Sequence, residues 1–403
     1  MKKCYTLLIA FFSITVTSSL ACNPAVETIQ SLPDVQSTPT LPTKAKPSPS
    51  STSSTPIPAP SATLIPTDLP TASPLAPTST RTPYLPADLV RINPQNVLKL
   101  EPVAVLPEQG ASVVAYSPDS QRIAAGLFST NNIKIWDLTS GQELLTLIGH
   151  VDPRIIRYLA YSPDGLTLAS GAQGWYAEND SLILWDAVTG SELERFDGVL
   201  GAISPNWRTI ALSQREQEES TTLILSDLAT GDMVHTLEAP NDIYEVSFSP
   251  TGQQVAAFMA DVIQDLVSFW SVDNGRLERT LYDWLGFSFS PDGQFIAALV
   301  KTSPDTDKGE LNIFDAITFK WIKTVAKDTD TYWYVVPAFS PDGQILAASS
   351  GDRVILWETQ SWQEVASFPA SEPTGLVFSP DGTILTTYTH SGPVQLWGVV
   401  EGQ

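Results

Sequence analysis

Cysteine is nearly absent from this 403-residue chain, which holds only Cys4 and Cys22. Everything after Cys22 is therefore without a thiol, which excludes a disulfide framework, a CxxC redox pair and a thiol nucleophile from that part. Histidine is almost as scarce: His150, His235 and His390 stand far apart, with no HxxxH or HxH partner. No Gly-rich phosphate loop and no Gly-x-Ser-x-Gly elbow occurs. Base is also short, at 22 Lys and Arg against 44 Asp and Glu. Residues 97–403 alone carry 16 basic and 40 acidic groups, a net charge of −24. Such a surface repels phosphate backbones and anionic headgroups, so no nucleic-acid partner is expected. It favours solubility, and it attracts basic partners or cations. Apolar residues still make up 42% of the chain, enough for a sizeable core.

The first residues, "MKKCYTLLIAFFSITVTSSLAC", place two lysines before an apolar stretch from about Thr6 to Val16 and then small residues, the layout of a secretory signal. That stretch is short for a membrane span, which needs about 20 residues. The segment closes on Ser19-Leu20-Ala21-Cys22 and resembles the lipobox of bacterial lipoproteins, although Ser19 stands where leucine is usual. The resemblance implies cleavage after Ala21, an acylated Cys22 and a lipid anchor on the extracytoplasmic side of a bacterial envelope membrane. An uncleaved anchor is the other reading, and both put the remainder outside the cytoplasm. Residues 22–90 are rich in Pro, Thr and Ser with few large apolar groups, as in "STPTLPTKAKPSPSSTSSTPIPAPSATLIPTDLP". A chain of this kind cannot repay the entropy of ordering and is expected to act as an extended tether.

The rest, residues 91–403, repeats. Ser-Pro-Asp-Gly or a close variant begins at Ser117, Ser162, Ser204, Ser249, Ser290, Ser340 and Ser379, at spacings of 45, 42, 45, 41, 50 and 39 residues. Pro presets φ for a turn, Asp or Asn bonds the backbone ahead of it, and Gly takes the left-handed conformation. Short β-rich runs flank each turn, a third run ends at an aromatic ("NIKIWD", "SLILWD", "RVILWE", "PVQLWG"), and a fourth follows. A period near 40–45 with four strands is the mark of radial β-repeats.

Trp136-Asp137, Trp185-Asp186 and Gly149-His150 make residues 97–403 resemble the WD40-repeat β-propeller family. The resemblance implies an all-β fold: a seven-bladed propeller of four-stranded antiparallel blades. It also implies, in the second repeat, a structural hydrogen-bond network of His150, Ser170 and Trp185 with Asn179 or Asp180. His150 and Asp186 are then framework, not a reaction centre. The seventh repeat ends soon after Trp397 and lacks a strand, so the run from Asn96 to Leu106 is expected to close the last blade.

In this architecture the loops between second and third strands and those between blades share one face. That face gathers Trp175, Tyr176, Tyr244, Tyr282, Trp284, Tyr332 and Trp333 with Asp328 and Asp330, an aromatic and acidic set suited to an interface. The segment 305–310, "DTDKGE", opens like a calcium loop but lacks the pattern's other ligands. No metal, no cofactor and no catalytic set is expected. The reading is a non-catalytic scaffold for a protein or peptide, basic ones among the candidates, touching a membrane only through its anchor. An envelope enzyme with carboxylate chemistry, such as a glycan hydrolase, is the alternative, and a rigid spacer without a discrete pocket is a third.

Overall fold

The computed structural model describes residues 84–402 apart from 151–153, 175–180, 199, 217–219, 260–264, 303–307 and 331–335. The described residues form 29 strands, one 3-10 turn at Val97–Lys99 and no α-helix. Two strands precede the repeats, β1 (Leu89–Val90) and β2 (Glu101–Gln109). Blade 1 is β3 (Ala111–Tyr116), β4 (Arg122–Leu127), β5 (Ile133–Asp137) and β6 (Glu143–Leu147). Blade 2 is β7 (Arg154–Tyr161), β8 (Thr167–Gly174), β9 (Ser181–Asp186) and β10 (Glu192–Asp197). Blade 3 is β11 (Leu200–Ile203), β12 (Thr209–Glu216), β13 (Ser220–Asp227) and β14 (Met233–Ala239). Blade 4 is β15 (Ile243–Phe248), β16 (Gln254–Met259), β17 (Leu266–Ser271) and β18 (Leu277–Tyr282). Blade 5 is β19 (Trp284–Phe289), β20 (Phe295–Lys301), β21 (Lys308–Asp315) and β22 (Trp321–Asp330). Blade 6 is β23 (Ala338–Phe339), β24 (Ile345–Ser350), β25 (Arg353–Glu358) and β26 (Gln363–Pro369). Blade 7 takes β27 (Gly375–Phe378), β28 (Ile384–Tyr388) and β29 (Pro393–Val400). Every blade is an antiparallel sheet in sequence order, so the seven-bladed propeller stands.

Each first hairpin is built by its turn serine. Ser117, Ser162, Ser204, Ser249, Ser290, Ser340 and Ser379 are all at most 5% exposed. In each copy the hydroxyl accepts the N–H five residues on, at 2.8–3.0 Å. In six copies it also donates to the Asp or Asn two residues on, as from Ser162 to Asp164 Oδ1 at 2.6 Å, and in blade 4 Ser249 meets the Thr251 hydroxyl instead. The fourth turn position has positive φ in all seven copies, and Gly fills five of them. Ser120 and Trp207 hold the other two at φ 58° and 54°, a conformation that costs a side-chain-bearing residue about 1 kcal/mol.

A sheet four strands wide cannot bury both faces by itself, and here neighbouring blades do it for one another. The core divides into seven apolar clusters, each shared by two adjacent blades, including one between blades 7 and 1. Alanines on the second strands (Ala124, Ala211, Ala256, Ala297, Ala347) are fully buried, where only a small side chain lets sheets approach.

The closing strand lies further along the chain than the run Asn96–Leu106 suggests. The Asn93 side chain accepts the N–H groups of Gln95 and Asn96, winding 97–99 into the 3-10 turn, so pairing begins at Glu101. β2 then runs antiparallel to β29 from Glu101 opposite Gly398 to Gln109 opposite Pro393. β1 extends the same edge, Leu89 opposite Val400 and Val90 opposite Val399. Residues 84–90 thus belong to the folded ring, although the expected tether ran to residue 90. Tyr84 N–H bonds Thr139 O at 3.1 Å, its hydroxyl donates to Val105 O at 2.6 Å, and its ring fills the space above Gly141.

Two expectations follow. Leu106, 2% exposed in the cluster joining blades 7 and 1, should cost about 2–5 kcal/mol as Leu106→Ala, read as a lower melting midpoint. The second concerns acid. Hydrogen bonds hold the Asp164 carboxyl below its ordinary range, first from Ser162 and then from the Leu166 N–H. A depressed folded value means stability present above the unfolded carboxylate range, near 3.9, and lost as pH falls through the folded value. Asp164→Asn should keep the turn, as Asn206 does in blade 3, and flatten the fall in melting temperature below about pH 4.

Candidate functional site

Among the described residues a His–Ser–Trp constellation sits in blade 2. His150 Nε2 lies 2.7 Å from Ser170 Oγ, and Trp185 Nε1 donates to the same oxygen at 2.8 Å. All three side chains are buried, and the His150 ring meets Trp185 edge-on at 6.5 Å. Gly149 is required before His150 because a Cβ there would come within 2.5 Å of the Trp185 ring. Asn179 and Asp180, the expected fourth members, lie outside the described residues. Asp186, the second half of Trp-Asp, caps its turn by accepting the N–H groups of Val188 and Thr189 at 2.9 and 2.7 Å. A hydroxyl that both fixes an indole and meets an imidazole at bonding distance, with no opening to solvent, is fully engaged in holding the blade.

The residue eight positions after the turn serine decides which indoles are bonded. It is Ala125, Ser170, Leu212, Ala257, Ala298, Ala348 and Thr387 in blades 1 to 7. Thr387 Oγ1 accepts from Trp397 Nε1 at 3.0 Å, a bond the sequence reasoning missed although the spacing marks it. Trp136, paired with Ile123 two residues from Ala125, is buried with no partner for Nε1.

Of the residues expected on the loop face, the structure places three. Tyr244, 40% exposed, lies at the start of innermost strand β15, edge-on to Phe258 at 6.5 Å. Tyr282, 55% exposed, ends the outermost strand β18. Both sit at the same end of blade 4, beside the row Ile243–Met259–Leu266–Tyr282, yet on opposite edges of the sheet, roughly 14 Å apart. Trp284 corrects the expectation. It is 2% exposed and packs on Phe314, Phe269 and Phe287 at 4.7, 6.0 and 6.3 Å, so it is core and cannot meet a partner. The reason is its pairing with Val300 at the start of β19, between blades 4 and 5. Asp328 and Asp330 end β22, but their side chains lie outside the description. Trp175, Tyr176, Tyr332, Trp333 and the segment 303–307 lie outside the described residues, as does Cys22.

The innermost strands carry groups that the sequence reasoning did not single out. In blades 1, 2, 4 and 5 the first ladder skips one residue at the same place: Ser112, Arg157, Tyr244 and Leu285. Such a bulge re-aims side chains and recurs beside binding sites. Arg157 and Glu245 stand on β7 and β15, charges in otherwise apolar strands, "RIIRYLAY" and "IYEVSF". That break in pattern is the signal that could have found them. Burial pushes the Glu245 carboxyl up, and Arg157 opposes it. Burial likewise pulls the Arg157 guanidinium down. Tyr158, one residue on, spans to blade 3, where its hydroxyl accepts the Ile203 N–H at 3.0 Å, and burial raises it to about 12. Among the described residues no group of three or more His, Cys, Asp or Glu could hold a metal ion.

With that geometry in view, residues 100–137 and 141–186 match the family described as WD domain, G-beta repeat. WD repeat and SOCS box-containing protein 1 of Mus musculus is 26% identical over 297 residues, 70% of this chain and 58% of that protein. These matches support the WD40-repeat family. Periodic tryptophan protein 2 homolog of Dictyostelium discoideum is 24% identical over 271 residues, 65% of this chain and 23% of its own. The chain thus spans little more than half of one relative and under a quarter of the other. Among solved structures, Kuenenia stuttgartiensis hydrazine synthase superposes with a TM-score of 0.56 at 17% identity, over 70% of this chain and 94% of that one. At that identity the likeness concerns fold alone.

In this propeller Ser170→Ala should take the shared oxygen from both the His150 imidazole and the Trp185 indole and cost about 1–3 kcal/mol. Thr387→Val strands one indole and should cost less. Urea midpoints of the two variants give the comparison.

Proposed function

We propose that this protein is a non-catalytic WD-repeat scaffold that binds a protein or peptide through its loop face, held outside the cytoplasm by a lipid on Cys22. The observation that carries the reading is the use of the His–Ser–Trp set among the described residues, His150, Ser170 and Trp185, as buried blade framework. The relatives named for WD repeats support an interaction role over chemistry. Access supports the loop face. Tyr84, Arg91 and Ile92 attach to the opposite, turn-bearing face, at Thr139, Asp381 and Gly382. The described residues 84–92 thus run along the turn-bearing side. Tyr244 and Tyr282 are its exposed rings among the described residues named for this role, with Trp175, Tyr176, Tyr332, Trp333, Asp328 and Asp330 completing the proposed set. A net charge of −24 over residues 97–403 suits a basic partner.

The test is capture from envelope extracts on the full chain, with Tyr244→Ala/Tyr282→Ala beside it. The expected outcome is a discrete partner retained by the wild type and weakened about tenfold or more by the double variant, as loss of an aromatic anchor does. Capture unaffected by that variant overturns the loop-face reading, and turnover in a glycan-hydrolase screen that a single Asp or Glu substitution abolishes overturns the scaffold reading. The anchor is tested apart from these by fatty-acid labelling of wild type against Cys22→Ala, where label on the variant sinks it.

A further inference from the structure

Blade 6 departs from its neighbours at its inner edge. Its innermost strand β23 has two residues, against four to eight in the other six blades. β23 pairs only with Leu346 and Ala347 of β24. Ala348, Ser349 and Ser350 therefore run on toward the loop face with no ladder partner on that side among the described residues. The seam between blades 5 and 6 is left open at that end. A cavity there, about 290 Å³ with its mouth included, is walled by Leu299, Leu311 and Thr329 of blade 5 and by Ala348, Ile355 and Trp357 of blade 6. Thr329 stands next to last in β22 and Ser350 ends β24, which puts the cavity on the loop-face side of the seam.

Two features point to a ligand. Thr329 is 4% exposed, lines the cavity, and has no hydrogen-bond partner for its hydroxyl. A buried hydroxyl left unpaired is costly, and an acceptor entering from outside recovers that cost. The walls define the rest of the ligand. No Asp, Glu, Lys, Arg or His lines the cavity among the described residues, so a charged group entering it would lose water without gaining a counter-charge. The volume stands at the lower limit of small-molecule sites, about 300–1,000 Å³. It suits one small side chain better than a whole free ligand.

We propose that this cavity seats a small branched aliphatic side chain, of valine type, from a peptide on the loop face, with the Thr329 hydroxyl donating to the carbonyl of that residue. The inference rests on the scaffold reading and adds to it the anchor residue of the bound peptide. Leu311, Ala348, Ile355 and Trp357 receive the methyl groups, and the single hydroxyl sets the direction of the peptide backbone.

Saturation-transfer NMR on the full chain with N-acetyl-L-valine methylamide and its glycine and lysine counterparts tests it. Saturable binding of the valine form in the millimolar range is expected, with the other two about tenfold or more weaker. Ala348→Leu fills the space and should abolish valine binding. Thr329→Val keeps the shape and removes the hydroxyl, so it should weaken binding about 2–10-fold while leaving the melting midpoint equal or higher. Absence of valine binding, equal binding of the three probes, or unchanged affinity in Thr329→Val overturns the proposal, as does binding retained by folded Ala348→Leu. A lowered midpoint in Thr329→Val overturns it too, because the hydroxyl would then serve the fold. A negative titration with partner capture intact removes this pocket and leaves the scaffold, whereas failed capture leaves the titration standing by itself.

Discussion

A blade of four strands exposes an apolar face on either side, and only two neighbours can cover them. That constraint governs the molecule. Seven blades need seven interfaces, and the core is divided into that number of shared clusters. The last interface exists because the chain lends blade 7 a strand from before blade 1, with Leu106 buried in the seam. Without it β29 would be an open edge, ready to pair with another chain.

Hydroxyl groups do the finer work within each blade. The turn serines act seven times in the same way, so hairpin geometry is nearly invariant, whereas the indole acceptors Ser170 and Thr387 occur only twice. Framework of this kind is what frees the loop end to vary. The second-to-third-strand connections differ in length and character while the turns beneath them do not.

Architecture was legible in the sequence because it is periodic. Ser-Pro-Asp-Gly, the aromatic ending the third strand and the missing final strand lead to seven blades and a borrowed strand without any knowledge of contacts. The borrowed strand's limits were not legible, because Asn93 turns the backbone with a side-chain bond that no hydrophobic pattern reveals. Trp284 was misjudged for a related reason. A one-residue link at Asp283, φ 64°, places it inside the blade 4–5 seam, and a loop aromatic and a seam aromatic look identical in one dimension. Arg157 and Glu245 leave no trace in the sequence beyond a charge in a mostly apolar strand.

The pairing of Leu89 with Val400, reinforced by the Glu401 N–H on Asp88 O, has a mechanical side. Both ends of the folded chain leave along one edge of one blade, so a pull arriving through the N-terminal segment does not stretch the ring across its diameter. It meets the two-residue β1 and the Tyr84 contacts first, which can peel away and re-form like a fuse, before any strain reaches the longer β2 ladder that keeps the circle shut.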